Sequence, residues 1–264
     1  MKRALFNINI GPERDHWKKC IKSQNLYCKK YGIDHYISHK PAINFRWARN
    51  WLENTFFEKY QCLHLFEKGY DQVLYLDCDV LVTPSATNIF DEYNDIDTFY
   101  AYEESHEVGI VGETLYGQKA DIMDRDPYVN RVLANNININ WKKNKHSKYE
   151  YYNAGIQLYG KNSIDHINDR EKFCSLRNLN NIYDFGDQTY VNTLLQKYNV
   201  KTQSIDYSYN RMSFQDRDLI NKRYQANFIH YSGPCLYGIQ EPLNFTEQDK
   251  INTINRDYFT LYES

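Results

Sequence analysis

The sequence lacks the features that mark several large classes of protein. Its 264 residues carry a net charge of only −2 at pH 7, so we expect no strong electrostatic field toward nucleic acid or an anionic membrane. The apolar segment near its start, residues 4–10, is too short for a signal-peptide core or a membrane span. These absences predict a soluble, cytoplasmic protein with no nucleic-acid partner and no membrane span.

Cysteine is also scarce and irregularly spaced. The six cysteines include no CxxC pair, and a chain of this length needs no disulfide scaffold, so we expect free thiols in a reducing cytosol. No internal repeat, linker or low-complexity tract divides the sequence. We therefore expect a single domain.

What the sequence does contain is an alternation of strand-like and helix-like segments. The predicted strands are 4–10, 33–38, 72–76, 96–102, 152–160, 200–206 and 225–233. The predicted helices are 12–31, 46–68, 88–93, 162–179, 187–198 and 246–262. This order predicts an α/β fold with a mostly parallel central sheet flanked by helices. Ligands of such sheets bind beyond the carboxyl ends of the strands.

Two aspartates follow the most apolar of these strands. The run 73–76 ends at Asp77 and Asp79, whose side chains project to the same side of an extended segment. Charged side chains are rarely buried unless they are paired or bound to a metal. The Asp-x-Asp pattern occurs three more times, but only this pair ends a long apolar run. The pair is therefore well placed to share a divalent cation, which could hold the diphosphate of a nucleotide-sugar.

Four motifs follow one another along the chain. They are KYQCLHLFEKGYDQVLYLDCDVLV (59–82), YNAGIQLY (152–159), FGDQ (185–188) and IHYSG (229–233). In this order and spacing they resemble a glycosyltransferase of the GT-A fold, near glycosyltransferase family 8, the glycogenin and lipopolysaccharide galactosyltransferase group. The resemblance implies a single GT-A domain over residues 1–264. Its nucleotide-binding half would be 1–102, and 103–264 would be the acceptor-side half with the C-terminal helix.

The resemblance implies a metal site and a donor site. Asp77, Asp79 and His230 would bind a divalent metal, Mn²⁺ or Mg²⁺, which suits carboxylate and imidazole ligands. Asp77 and the backbone around Cys78 would also contact the donor. The remaining donor-binding residues would be Lys59, Asn153, Gly155 and Gly233.

The resemblance also implies the reaction. The donor would be a nucleotide-sugar, with a UDP-sugar expected, and the acceptor a hydroxyl of a glycan or glycoconjugate. Asp187 and Gln188 would flank the reacting carbon as catalytic residues, with a retaining route favoured over an inverting one. An inverting route needs a carboxylate base, and Asp187 is again the candidate.

One departure from the family keeps other functions open. Family 8 members commonly continue His-x-x-Gly with Lys-Pro-Trp, whereas Leu236 occupies the lysine position here. A phosphate-contacting cation is missing there, and Lys59 or Arg211 could replace it. A non-catalytic nucleotide-sugar-binding homologue is thus an alternative. A nucleotidyltransferase that makes nucleotide-sugars is another, although residues 11–14 are poor in glycine for its phosphate loop.

Several site residues also have purely structural interpretations. His230 could be a hydrogen-bonded core histidine, Asp187 a helix N-cap, and Lys59 a solvated helical lysine. The burial and the contacts of these side chains in the folded protein test the structural interpretations against the functional ones.

Overall fold

The computed structural model describes residues 1–11, 15–42, 55–107, 126–134, 139–164, 187–212, 222–232 and 247–264. The strands are β1 Arg3–Ile8, β2 Asp34–Ser38, β3 Gln72–Leu76, β4 Val80–Val82, β5 Phe99–Glu103, β6 Tyr152–Gly160, β7 Thr202–Ser204, β8 Arg211–Met212 and β9 Phe228–His230. The α-helices are α1 Lys18–Tyr31, α2 His64–Glu67, α3 Ile89–Glu92, α4 Asp126–Ala134, α5 Asp187–Lys197 and α6 Glu247–Tyr262. Short 3₁₀ helices span Glu58–Leu63, Glu104–Glu107, Tyr207–Tyr209 and Lys222–Gln225.

The main sheet has six strands in the order β2-β1-β3-β6-β5-β7. β1 pairs in parallel with β2 and β3, and β5 pairs in parallel with β7. β6 runs antiparallel between β3 and β5. Five strands therefore share one direction, which confirms the mainly parallel sheet, and their carboxyl ends meet at one edge.

Alternate residues of the central strands pack on opposite faces of the sheet. Phe6 of β1 joins a core cluster that includes Leu194 of α5. Its neighbour Leu5 joins a second cluster that includes Tyr27 of α1. Helices thus cover both faces, and the central strands are buried on both sides, as a mainly parallel sheet requires.

A second, three-stranded sheet has the order β4-β9-β8. β4 and β9 are antiparallel, and β8 and β9 are parallel. Leu81 and Ile229 of this sheet belong to a third core cluster with Ile254 and Tyr258 of α6. The terminal helix is therefore packed against the strands that flank the Asp77–Asp79 turn.

Most predicted elements are confirmed, with differences at their ends. The strands 72–76 and 152–160 have the predicted bounds, and α1 ends at Tyr31 as predicted, followed by Gly32 with φ 64°. α1 begins at Lys18, later than predicted. The single α-helix predicted over 46–68 is wrong over Glu58–Leu63, which is a 3₁₀ helix.

Other predictions lie wholly or partly outside the described residues. These include residues 46–54 of the helix predicted at 46–68 and most of the helix predicted at 162–179. Within the described segments, no helix combines the length and apolar character that crossing a bilayer requires.

Candidate metal centre and donor site

The three residues predicted to bind a metal lie together beyond the carboxyl end of β3. Ligand atoms of Asp77, Asp79 and His230 all lie within 4.8 Å of one another. Nε2 of His230 is 3.6 Å from Asp79 Oδ1 and 3.9 Å from Asp77 Oδ2. The pairing of β4 with β9 explains this proximity, because it sets His230 opposite Val80, the residue after Asp79.

The His230 ring is oriented by a hydrogen bond on its far side. Nδ1 lies 2.9 Å from Oδ1 of Asn210. Because an amide oxygen only accepts, Nδ1 carries the proton and Nε2 presents its lone pair to the two carboxylates. Burial lowers the pKa of His230, although Asp79 opposes the effect. A neutral ring with a bare Nε2 is the form that ligates a metal.

The two oxygens of Asp79 have different surroundings. Oδ2 accepts a hydrogen bond from Nζ of Lys250 at 2.7 Å. Oδ1, on the side of His230, is buried and has no hydrogen-bond partner among the described residues. A buried carboxylate oxygen without a partner is costly. This oxygen, with Asp77 and the bare Nε2, forms a donor set that fits Mn²⁺ or another divalent cation.

Gly155 on β6 leaves the space in front of these ligands open. A Cβ built on Gly155 would lie 2.7 Å from Asp77 Oδ2 and 2.7 Å from His230 Nε2. Real Cβ atoms do not approach other atoms so closely. The N–H of Asp77 donates to the carbonyl of Gly155 at 2.8 Å, so the backbone of β6 is fixed against the site. A side chain at position 155 would therefore clash with the cluster, which explains why this residue is a glycine.

The electrostatics of the two aspartates differ. Burial raises the pKa of Asp77 to about 7, and Asp79 adds to the rise, whereas Lys59 and the hydroxyl of Tyr75 oppose it. Burial would also raise the pKa of Asp79, but the positive charge of Lys250 and its hydrogen bond outweigh it and hold that pKa below its ordinary value. A carboxyl group whose pKa is raised in this way is easier to ionise beside a cation.

Lys59 links the candidate metal centre to the start of α5. Its side chain is buried, forms an ion pair with Asp187, and donates to the carbonyl of Ala154 at 2.8 Å. Burial would lower the pKa of Lys59, but the carboxylates of Asp187 and Asp77 outweigh it and raise the pKa. The interpretation of Lys59 as a solvated lysine is therefore wrong. Asp187 is the first residue of α5, and its carboxylate is engaged by this lysine.

A second polar cluster surrounds the amino-terminal half of β6. Asn153 donates to Glu104 Oε1 at 2.8 Å and accepts from the N–H of Gly155 at 2.9 Å. Gln188 accepts from the N–H of Ala154 at 3.2 Å and donates to Glu104 Oε2 at 3.0 Å. The buried carboxylate of Glu104 thus joins Asn153 to Gln188, which places two predicted site residues side by side.

The other predicted donor residues have different positions. Cys78 lies between the two aspartates, but its thiol donates to the carbonyl of Ile8 at 2.6 Å, which ties the turn to β1. Any contribution of Cys78 to the donor would therefore come from its backbone. Gly233 lies outside the described residues.

Two site residues, Glu104 and Lys250, do not follow from the sequence patterns. Glu104 comes directly after β5, whose carboxyl end lies at the same edge of the sheet as that of β3. The strand-end rule that selects Asp77 could have selected Glu104 too. Lys250 lies on α6 and is 171 residues from Asp79. No local sequence pattern predicts a contact between residues so far apart in the chain.

Comparison with known proteins places the fold and then the family. Similar solved structures include a glycosyltransferase involved in glycosylation of the major capsid of PBCV-1, with a TM-score of 0.59 and 13% identity, covering 97% of this chain and 100% of that one. The galactosyltransferase LgtC, solved with donor and acceptor sugar analogues, has a TM-score of 0.53 and 16% identity, covering 98% of this chain and 96% of that one. GlyE of Streptococcus pneumoniae TIGR4 has a TM-score of 0.53 and 14% identity, covering 98% of this chain and 63% of that one.

At these identities the likeness shows the fold alone, which is the GT-A fold of glycosyltransferases. The model of the family "Glycosyl transferase family 8" matches residues 13–235. The chain therefore belongs to glycosyl transferase family 8. No curated protein sequence matches it.

Proposed function

We propose that this glycosyltransferase depends on a divalent metal, Mn²⁺ or Mg²⁺, and transfers a sugar from a UDP-sugar to a hydroxyl of a glycan or glycoconjugate. The observation that carries the proposal is the cluster of Asp77, Asp79 and His230, whose free ligand atoms face the space that Gly155 leaves open. A divalent cation held there would neutralise the charge that develops on the departing diphosphate.

The protein's own residues would position the donor sugar around this centre. Asn153 and Gln188 are held side by side by Glu104, so their orientations are fixed before the donor binds. Gly155 allows the donor and its cation to approach the backbone of β6. Lys59 lies behind the cluster, where its positive charge supports the ionised form of Asp77.

We propose a retaining stereochemical course. An inverting enzyme needs a carboxylate base for the acceptor hydroxyl. The carboxylate of the candidate base, Asp187, is already engaged in a buried ion pair with Lys59, which disfavours its use as that base. The pairing instead suits a role for Asp187 as a fixed negative charge close to the reacting carbon.

We further propose that residues 1–102 supply the nucleotide-binding half and residues 103–264 the acceptor-side half. β1 and β3, with the Asp77–Asp79 turn, belong to the first segment. Asn153, Gln188 and His230 belong to the second. In this assignment the donor sugar lies where the two segments meet.

The direct test is turnover of UDP-sugars by the purified protein with and without Mn²⁺, in the wild type and in Asp79→Ala. Loss of one well-placed charge stabiliser costs about 3–4 kcal/mol of barrier, or roughly 10²–10³ in rate. We expect activity only with metal, and a loss of at least that size in Asp79→Ala.

The matched control is Asp97→Ala, which removes an aspartate from another Asp-x-Asp pattern. Asp97 accepts a hydrogen bond from Asn162 on the exposed surface, and its loss should leave turnover unchanged. Equal activity of wild type and Asp79→Ala in the presence and absence of metal would refute the metal role. Binding of UDP with metal but without turnover would favour the non-catalytic alternative.

A further inference from the structure

Lys250 is a partly buried cation beside the metal ligands, and it lies outside the four sequence motifs. Its Nζ is 2.7 Å from Oδ2 of Asp79, and 13% of its side chain is exposed. The same nitrogen lies 5.0 Å from the centre of the Trp17 ring. A lysine held between a carboxylate and an aromatic face has a defined position.

The position of Lys250 on its helix is unusual. It lies in the first turn of α6, where the helix dipole disfavours a positive charge. A residue whose local position is unfavourable is often retained for a functional reason. Here the unfavourable position of the Lys250 charge is offset by its ion pair with Asp79, which is distant in the sequence.

α6 itself is firmly attached to the strand that carries His230. Asp257 of α6 forms a fully buried ion pair with Arg223, 2.6 Å between Nη2 and Oδ1. Tyr231, the residue after His230, donates its hydroxyl to Asp257 at 2.7 Å and its N–H to the carbonyl of Asp79 at 3.1 Å. Lys250 is therefore carried on a helix that is fixed to both Asp79 and β9.

We propose that Lys250 binds the diphosphate of the donor, and so supplies the cation that is missing at Leu236. Oδ1 of Asp79 lies on the side of His230, whereas Oδ2 holds Lys250, so only the Asp79 carboxylate separates Nζ from the atoms that would bind the metal. The flexible four-carbon stem of lysine allows Nζ to move from Oδ2 to a phosphate oxygen. This inference rests on the proposed function, because it needs a metal-bound diphosphate.

The proposal predicts opposite effects on two ligands, which a purely structural role would not produce. In Lys250→Met, Asp79 loses a competing partner and the site loses a like charge, so Mn²⁺ should bind about threefold more tightly or better. UDP in the presence of saturating Mn²⁺ should bind about 10- to 100-fold more weakly, because a charged hydrogen bond to phosphate is lost.

The experiment is isothermal titration calorimetry of the full chain with MnCl₂ alone, and then with UDP at saturating Mn²⁺. Lys250→Gln should give the same two shifts as Lys250→Met, so either variant suffices if the other does not fold. Lys250→Arg keeps the charge and should recover most of the UDP affinity. Lys161→Met is the matched control, because it breaks a 2.8 Å lysine–aspartate pair, with Asp71, at the opposite end of β3 and β6 from the site. It should change neither affinity.

Each other outcome overturns the inference. Unchanged UDP affinity in Lys250→Met would show that Lys250 does not contact the diphosphate. Weaker binding of both Mn²⁺ and UDP would show that Lys250 only orients Asp79. Failure of the wild type to bind UDP with Mn²⁺ would refute the proposed function and the inference with it, whereas the first two outcomes refute the inference alone.

Discussion

Single residues determine whether the candidate metal centre can bind a cation. The two carboxylates and the imidazole converge, but they can share an ion only if nothing occupies the space before them. Gly155 keeps that space open, since a Cβ there would meet both Asp77 and His230. The chemistry of the site therefore depends on a residue that has no side chain.

Gly155→Ala should weaken Mn²⁺ binding by at least about tenfold while the chain still folds. The added methyl group meets Cε1 and Nε2 of His230 and Oδ2 of Asp77, so these side chains must shift from their ligand positions, at a cost of typically 1–3 kcal/mol. Calorimetric titration with MnCl₂ measures the affinity, and circular dichroism checks the fold.

Gly160→Ala is the matched control on the same strand. A Cβ at Gly160 would meet the backbone of Ile96, which cannot rotate away. This variant should lose stability but keep the Mn²⁺ affinity of its folded fraction. If Gly155→Ala bound Mn²⁺ as tightly as the wild type, the ligand atoms would have to be arranged differently from the structure described here.

The residues that the sequence could identify are those at the ends of apolar strands. Asp77 and Asp79 stand out because they end an apolar run, and charged side chains are rarely buried unless they are paired or bound to a metal. His230 is identified only together with them, through the family resemblance. Lys250 cannot be identified in this way, because its partner lies on a distant element. The sequence around a single lysine in an amphipathic helix does not indicate which residue that lysine contacts.

At the scale of elements, β6 and α6 contribute most to the site. β6 brings Asn153 and Gly155 to the carboxyl end of β3, because it runs antiparallel beside that strand. Its direction cannot be read from the sequence, since side chains alternate with the same period in parallel and antiparallel strands. The sequence does not predict the 3₁₀ helix at Glu58–Leu63 for a similar reason, because the apolar spacing of this segment also suits an α-helix.

Asp257→Asn should destabilise the docking of α6. The substitution leaves the fully buried guanidinium of Arg223 without its counter-charge, and breaking a buried ion pair in this way costs about 3–5 kcal/mol. Urea unfolding followed by circular dichroism measures the loss in the free energy of unfolding.

Glu263→Gln is a suitable comparison at the end of the same helix. Glu263 pairs with Lys19 at 3.2 Å in a partly exposed position, where an ion pair contributes about 0–1 kcal/mol. Equal urea midpoints for Asp257→Asn and Glu263→Gln would contradict the importance of the buried pair for holding α6.

For the whole molecule, the alternation of strands and helices predicts the mainly parallel sheet with helices on both faces. It does not predict the second sheet of β4, β9 and β8. Those strands are two or three residues long, too short for a periodic pattern to distinguish. Yet their pairing sets His230 beside the aspartates, so the strand pattern alone does not place this ligand at the site and only the family resemblance predicts it.

The stability of the whole chain should fall in mild acid partly because of His35. Nε2 of His35 lies 2.6 Å from Asn7 Oδ1, and Asn7 donates to the carbonyl of Leu76, so these side chains connect three neighbouring strands. Burial lowers the pKa of His35 to about 4. Because this pKa lies below that of an unfolded histidine, the contribution is full above about pH 6.5 and is lost as the pH falls toward 4.

Thermal unfolding of the wild type and His35→Gln at a series of pH values tests this contribution. The glutamine amide can still donate to Asn7 but does not titrate. The difference in stability between the two proteins should change between pH 6.5 and 4 in favour of the variant. A difference independent of pH across this range would refute the assignment.

The central claim is that one divalent cation binds between the turn after β3 and the end of β9. Anomalous X-ray diffraction at the manganese edge, from crystals of the protein grown with MnCl₂ and UDP, tests it most directly. We predict one strong peak at the cluster, coordinated by Asp77, Asp79 and Nε2 of His230. A cluster without a peak, or a manganese ion bound to UDP but not to these three residues, would contradict the account.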